Sequence, residues 1–314
     1  MGPHIYVIGA GAIGIPLAVN LNLAGKRVTV LRSSSTEHSR STTEMSVTGV
    51  DGARRTARLE MVSLAKLRSL EEGVFAITAK ATGNLRIADE LARLKATGPV
   101  VILQNGVGVE TPFLEAGFPD VFRCVLYATG QRDGESSVQF RPVAASPIGR
   151  IQGEPGKLSE VVGALNSDGF QFRAEELLEE EIWRKAIMNA VFNTVCPLLD
   201  VDNGIFIRDS RATKIATEII RECIAVAAGL GMDFREEALI EQLMMISKRS
   251  DGQLISTLQD LRRGNETEIE FLNLAIAKVA AGLTPPVGVG RTQVLGELIQ
   301  VMSSMTIRDA ALSS

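Results

Sequence analysis

The sequence predicts an α/β chain in which a doubly wound, mostly parallel sheet precedes an all-helical half. Three observations predict it. Residues 5–31 read as a strand, a glycine turn, an apolar helix and a second strand, the length of one βαβ unit. Short apolar runs then alternate with helix-period segments up to about residue 175. Beyond that point strand patterns stop and only helix periodicity continues, so two domains are expected, residues 1–175 and 176–314.

The 314 residues suffice for two domains of about 150 residues each. With 22% charged residues, 45% hydrophobic residues and a net charge of −4, the composition is globular and argues against a dedicated nucleic-acid binder. A small anion still needs only a local basic pocket. Cys124, Cys196 and Cys223 are scattered and lack CxxC spacing, so neither a metal site nor a disulfide framework is expected, and a reducing cytoplasm fits best. Residues 5–25 carry no charge, but Gly9, Gly11, Gly14, Pro16, Asn20 and Asn22 interrupt them. No basic stretch precedes them, so neither a signal peptide nor a membrane span is expected.

Residues 5–8 read as a strand buried on both faces. Gly9-Ala10-Gly11-Ala12-Ile13-Gly14 follows, then a helix from about 12 to 24, ended by Gly25, and a strand at 28–31. This is GxGxxG between strand and helix, the Rossmann fingerprint for a dinucleotide. Gly9 makes the tight turn, Gly11 lets a pyrophosphate approach the backbone, and Gly14 lets helix and strand pack closely. The helix start then offers N–H groups and a positive dipole to phosphate.

The tip of the second strand reads the cofactor. NAD enzymes place an acid there for the ribose 2′-hydroxyl, whereas this chain has Arg32 followed by Ser33, Ser34 and Ser35. A guanidinium with neighbouring hydroxyls suits a 2′-phosphate, so NADP(H) is expected.

Segments 46–50 and 58–62 read as strands of an excursion turning at Asp51-Gly52. A buried strand at 74–78 ends just before Ala79-Lys80, a helix spans 84–94, and a strand at 100–103 leads into the tip Gln104-Asn105-Gly106-Val107-Gly108. Lys80 and Asn105 are therefore expected on the carboxyl rim of the sheet, where ligands of such sheets bind. Runs at 121–129, 137–142 and 145–148 complete the strands, followed by a helix at 157–165 and a strand at 170–174. Helices are expected at 179–199, 208–230, 236–248, 256–262, 267–281 and 289–302.

The chemistry concentrates in residues 182–200. Lys185, Asn189 and Asn193 are spaced four apart on an otherwise apolar helix pattern, so they form one stripe. Buried amides cost on the order of 2–7 kcal/mol when unpaired, so the stripe either is satisfied internally or faces a polar ligand. If the expected NADP(H) delivers hydride to a ketone, charge is left on oxygen, which needs a proton or a positive field. The two histidines, His4 and His38, stand before the first strand and in a loop, which leaves a lysine or tyrosine acid, with Lys185 on its apolar helix the best candidate. Desolvation on this apolar helix would draw its pKa down.

These features resemble the ketopantoate reductases, the NADPH-dependent 2-dehydropantoate 2-reductases of pantothenate and coenzyme A biosynthesis. The resemblance covers nearly the whole chain. It rests on GAGAIG, Lys80, Asn105-Gly106, the segment IWRKAIMNAVFN, Asp202-Asn203-Gly204, Ser256-Thr257-Leu258-Gln259-Asp260, Thr267-Glu268-Ile269-Glu270 and Thr284-Pro285-Pro286-Val287. It implies reduction of a 2-keto acid to (R)-pantoate, with Lys185 as catalytic acid supported by Glu268. It implies that Asn105, Asn189, Asn193, Asn203 and Ser256 hold the substrate, and that Lys80, Asn105 and Glu268 reach the cofactor. Lys80 is open to two roles, neutralising cofactor phosphate or meeting the substrate carboxylate. Ala81 and Thr82 after Lys80, and Thr257 after Ser256, depart from the family pattern and bear on the shape of the pocket. No metal, nucleic-acid or membrane partner is expected, and the protein is expected to be a monomer or homodimer. Two alternatives stand beside this reading: an NADP-dependent oxidoreductase of the same architecture acting on another 2-keto or 2-hydroxy acid, and a non-catalytic NADPH sensor.

Overall fold

The computed structural model describes residues 2–33 and 40–312. Ser34, Ser35 and His38 lie outside the described residues. The chain divides into two compact units, one formed by Met1–Gln104 and Val109–Leu178, the other by Asn105–Gly108 and Glu179–Ser314.

The first unit holds a sheet of eleven strands among the described residues. They are β1 (His4–Ile8), β2 (Val28–Arg32), β3 (Arg40–Thr48), β4 (Arg54–Ser63), β5 (Gly73–Ile77), β6 (Val100–Ile102), β7 (Val121–Cys124), β8 (Ala128–Arg132), β9 (Ser137–Pro142), β10 (Ser146–Gln152) and β11 (Phe172–Ala174). Its helices are α1 (Gly14–Leu23), α2 (Asn84–Arg93), α3 (Thr111–Glu115) and α4 (Lys157–Leu165). The sheet order is β11-β10-β7-β6-β5-β1-β2-β4-β3-β9-β8, with β4, β2, β1, β5, β6 and β7 all parallel. Strand order reverses between β1 and β5. In an open α/β sheet that switch point opens a crevice at the strands' carboxyl ends.

The core explains the placement of α1. Ile15, Leu17, Val19 and Leu21 of α1 are buried with Ile5, Val7, Val30 and Val74 of the sheet and with Leu158, Val161 and Leu165 of α4. Each such side chain contributes roughly 1.5–3 kcal/mol by leaving water. Just past α1, the Lys26 ammonium donates to the carbonyls of Gly163, Ala164 and Asn166 at 2.7–2.9 Å, capping the carboxyl end of α4.

The hairpin turns where expected. Gly52 stands at φ +74, and Gly49 N donates to Ala53 O at 3.0 Å. Its strands are longer than the sequence pattern suggested, because the polar residues of β3 pair in register with β4, from Arg40 opposite Val62 to Thr48 opposite Arg54. The run at 121–129 is not one strand. Val125 N still donates to Pro147 O of β10 at 2.9 Å, but Tyr127 N is taken by the Ser146 side-chain Oγ at 2.9 Å, and from Ala128 the chain pairs with β9 as β8.

The second unit carries α5 (Leu178–Leu199), α6 (Ile205–Arg208), α7 (Ser210–Gly229), α8 (Glu236–Arg249), α9 (Ser256–Arg262), α10 (Asn273–Gly282) and α11 (Gly290–Leu312). The helix expected at 208–230 is broken at Asp209, whose carboxylate accepts the N–H of Arg211 at 2.7 Å and starts α7. The helix expected at 267–281 is a 3-10 turn, Ile269–Phe271, followed by α10. The Phe271 carbonyl is taken by Val107 N at 2.8 Å instead of continuing the helix. Among the described residues no helix is long and apolar enough to cross a membrane.

Candidate functional site

In the first unit the glycine turn is built tightly and open on one side. Gly9 stands at φ +116, and a Cβ there would lie 2.5 Å from Ala79 N. A Cβ on Gly14 would collide with the Gly9 carbonyl oxygen and with Thr78 Oγ1. At Gly11 a Cβ would meet nothing within 4 Å. Gly9 N donates to Leu31 O at 2.9 Å, and the Thr78 hydroxyl donates to Gly9 O at 2.9 Å. The turn is thus pinned between the tips of β2, which ends on Arg32, and β5, which Lys80 follows.

No side chain caps α1 and no acid stands in its first turn. A pyrophosphate approaching over Gly11 would therefore meet unobstructed backbone and a favourable dipole. The residues present fit a dinucleotide. Arg32 is half-buried at the end of β2, and Lys80 is exposed at the start of a 3-10 turn.

Two supports of this turn escaped the sequence pattern. Gln104 Nε2 donates to Ala79 O at 2.6 Å, while Asn84 and Gln104 exchange amide hydrogen bonds at 2.7 Å. That buried pair braces the residue before Lys80. On β8, a Cβ at Gly130 would collide with Ala12 O, so the strand packs directly on the glycine turn. Amides 20 residues apart and a glycine in a strand leave no local signature.

The second unit gathers the remaining candidates. Along α5, Lys185 and Asn189 are half-buried and Asn193 is 3% exposed, among Ala186, Ile187, Ala190, Val191 and Phe192. Asn193 Nδ2 donates to Asn189 O at 3.1 Å. Its Oδ1 accepts from Thr257 Oγ1 at 2.8 Å and from Ser256 Oγ at 3.4 Å, at the start of α9. Asn189, Asn193 and Ser256 are therefore brought together, and Thr257 joins them as a residue the stripe did not reveal.

Asn203 sits in a clamped loop. Its N–H donates to Gln253 O at 2.9 Å and its carbonyl accepts from Ser247 Oγ at 2.7 Å. The neighbouring Asp202 accepts from Gly204 N at 2.7 Å and, on both carboxylate oxygens, from Arg208 Nη2 at 2.9 Å. Arg208 also pairs with Asp251. Desolvation pushes the Asp202 carboxyl up, but the Gly204 N–H and the Arg208 guanidinium outweigh it and hold the group below its ordinary value. A depressed carboxyl stabilises the fold above its unfolded pKa and ceases to do so as pH falls through the folded value. Thermal midpoints should thus show no Asp202 contribution to pH dependence at neutral pH. In Asp202→Asn, the difference from the parent should shrink below the ordinary value of 3.8.

Asn105 belongs to the tip that the second unit recruits, and Val107 N binds the carbonyl of Phe271, three residues beyond Glu268. Glu268 itself is half-buried, immediately before the 3-10 turn. The Oδ1 atoms of Asn105 and Asn203 are buried without a hydrogen-bond partner, the condition of an acceptor that awaits a donor. Cys196 and Cys223 offer no reactive thiolate. Burial pushes the Cys196 and Cys223 thiols up to about 12, leaving them protonated at neutral pH.

The glycine turn, Arg32 and Lys80 thus belong to one unit, and Lys185, the asparagines, Ser256 and Glu268 to the other. Comparison with known proteins matches both. The family model described as Ketopantoate reductase PanE/ApbA matches residues 5–153, and its C-terminal counterpart matches residues 177–302. Among curated relatives, the 2-dehydropantoate 2-reductase of Archaeoglobus fulgidus is 28% identical, covering 88% of this chain and 90% of the relative. That of Halobacterium salinarum is 24% identical, covering 95% and 98%.

Solved structures share the fold. A ternary structure of D-mandelate dehydrogenase with NADH and anilino(oxo)acetate superposes with a TM-score of 0.80 at 21% identity, covering 96% of this chain and 99% of that one. A dimeric ketopantoate reductase from Staphylococcus aureus gives 0.79 at 15% identity, with the same coverage. With the two family models together spanning both units, the chain belongs to the ketopantoate reductase family of oxidoreductases.

Proposed function

We propose that the protein reduces 2-dehydropantoate to (R)-pantoate with NADPH, with residues 1–175 holding the cofactor and residues 176–314 carrying the substrate. The observation that carries the reading is the polar stripe on α5. Asn193 is buried and bonded to Thr257 and Ser256 on an otherwise apolar helix that also bears Lys185 and Asn189.

Gly9, Ala10, Gly11, Ala12, Ile13 and Gly14 would cradle the pyrophosphate of NADPH. Arg32 would meet its 2′-phosphate, with Lys80, Asn105 and Glu268 also toward the cofactor. When bound, NADPH supplies the hydride. Lys185 donates its proton to the keto oxygen as charge builds there, which is worth roughly 10²–10⁴-fold in rate for a positioned acid. Glu268 keeps that ammonium charged and aimed. Asn105, Asn189, Asn193 and Asn203 orient the keto and hydroxyl groups, since a carboxamide both donates and accepts. Ser256 meets the carboxylate.

The test is NADPH consumption by purified protein with 2-dehydropantoate, pyruvate, 2-ketoisovalerate and phenylglyoxylate. A strong preference for 2-dehydropantoate is expected. The fold shared with D-mandelate dehydrogenase makes phenylglyoxylate the informative rival, and preference for it would transfer the reading to an aromatic 2-keto acid. Tight NADPH binding without turnover on any acid would favour the sensor.

Cofactor choice has its own test. Arg32→Glu should weaken NADPH binding by about 10–100-fold, the loss of a charge-assisted pair, while changing NADH binding by less than about threefold. Equal loss of both cofactors would sink the 2′-phosphate assignment.

A further inference from the structure

The Asn193 carboxamide can be oriented from its surroundings. The Asn189 backbone carbonyl is an acceptor only, so the atom facing it at 3.1 Å must be the amide nitrogen. The amide oxygen therefore points to Thr257, whose hydroxyl donates to it at 2.8 Å, with Ser256 Oγ on the same oxygen at 3.4 Å. The closer of the two hydroxyls belongs to the better-buried residue: Thr257 is 3% exposed, as is Asn193, whereas Ser256 is exposed.

We propose that Thr257 is a positioning residue that locks the Asn193 carboxamide as a dedicated hydrogen-bond donor to the substrate, an assignment that rests on the substrate-binding reading of Asn193. With its oxygen occupied and one N–H held by Asn189, Asn193 has a single N–H left to present. It can then recognise only an acceptor, such as a keto or carboxylate oxygen. Without the lock, the amide can rotate and offer its oxygen instead. That flip would put an acceptor against an acceptor.

The test compares Thr257→Val, which keeps the shape and removes the hydroxyl, with Thr257→Ser, which keeps the hydroxyl. Thr257→Val should raise KM for the keto acid about tenfold with a smaller change in kcat and unchanged NADPH affinity, the effect of about one lost hydrogen bond. Thr257→Ser should stay within about twofold of the parent. In an Asn193→Ala background Thr257→Val should add nothing, because the residue through which it acts is gone. Parent-like KM in Thr257→Val, failure of Thr257→Ser to rescue, or full additivity with Asn193→Ala would each overturn the proposal.

Side-chain amide NMR supplies a readout independent of turnover. The Asn193 NH₂ pair, assigned by its loss in Asn193→Ala, should show slow exchange in the parent and in Thr257→Ser and fast exchange in Thr257→Val. Equal exchange in all three would also overturn the lock. A parent enzyme inactive on every 2-keto acid but retaining the exchange pattern would instead overturn the functional reading and its substrate role, leaving the lock as structure.

Discussion

Replacing Lys185 with alanine should lower turnover by about 10²–10⁴-fold while leaving NADPH affinity within about threefold of the parent. The separation follows from the architecture. Lys185 lies on α5 in the helical unit, whereas the glycine turn, Arg32 and Lys80 lie in the sheet unit. Alanine is the best helix former, so α5 should persist and carry Asn189 and Asn193 as before. Single-turnover kinetics and NADPH titration check the two halves. Loss of turnover and NADPH binding together would remove Lys185 from the role of acid.

The second large effect should come from the glycine turn, where neighbouring glycines are expected to fail differently. Gly14→Ala drives a methyl group into the backbone carbonyl of Gly9, which has no rotamer to yield. Overpacking of this kind costs typically 1–3 kcal/mol, so the melting temperature should fall and NADPH affinity with it. Gly11→Ala adds a methyl to open space. It should fold with parental stability yet bind NADPH at least about tenfold more weakly, because the methyl occupies the approach a pyrophosphate needs. Thermal melts set beside NADPH titrations distinguish the two. A Gly11→Ala protein with undiminished affinity would place the pyrophosphate elsewhere.

The sequence made the local part of this molecule readable. The turn from β1 into α1, the Asp51-Gly52 hairpin, α4 at Lys157–Leu165 and α9 at Ser256–Arg262 all follow from periodicity and turn chemistry within a short window. The breaks at residues 125–127, Asp209 and Phe271 did not. Two of them depend on distant groups, the Ser146 hydroxyl and the N–H of Val107, and the third on a cap that competes with a continuous helix pattern. The candidate site divides the same way. Lys185, Asn189 and Asn193 announce themselves by helical spacing, but the hydroxyl that orients Asn193 is 64 residues away in sequence. Long-range polar pairing has no period to read.

The recruitment of Asn105–Gly108 into the helical unit bears on how the chain can be made and cut. Val107 packs against the helical core and binds Phe271, yet it is synthesised more than seventy residues before α5 begins. A nascent chain can complete the sheet order from β1 to β11 before any helical partner for this tetrapeptide exists. The helical unit, for its part, can never be excised whole by a single cleavage. A fragment starting at Glu179 would lack one of its own backbone hydrogen bonds and leave apolar surface uncovered, so its refolding should require the tip to be restored on a linker.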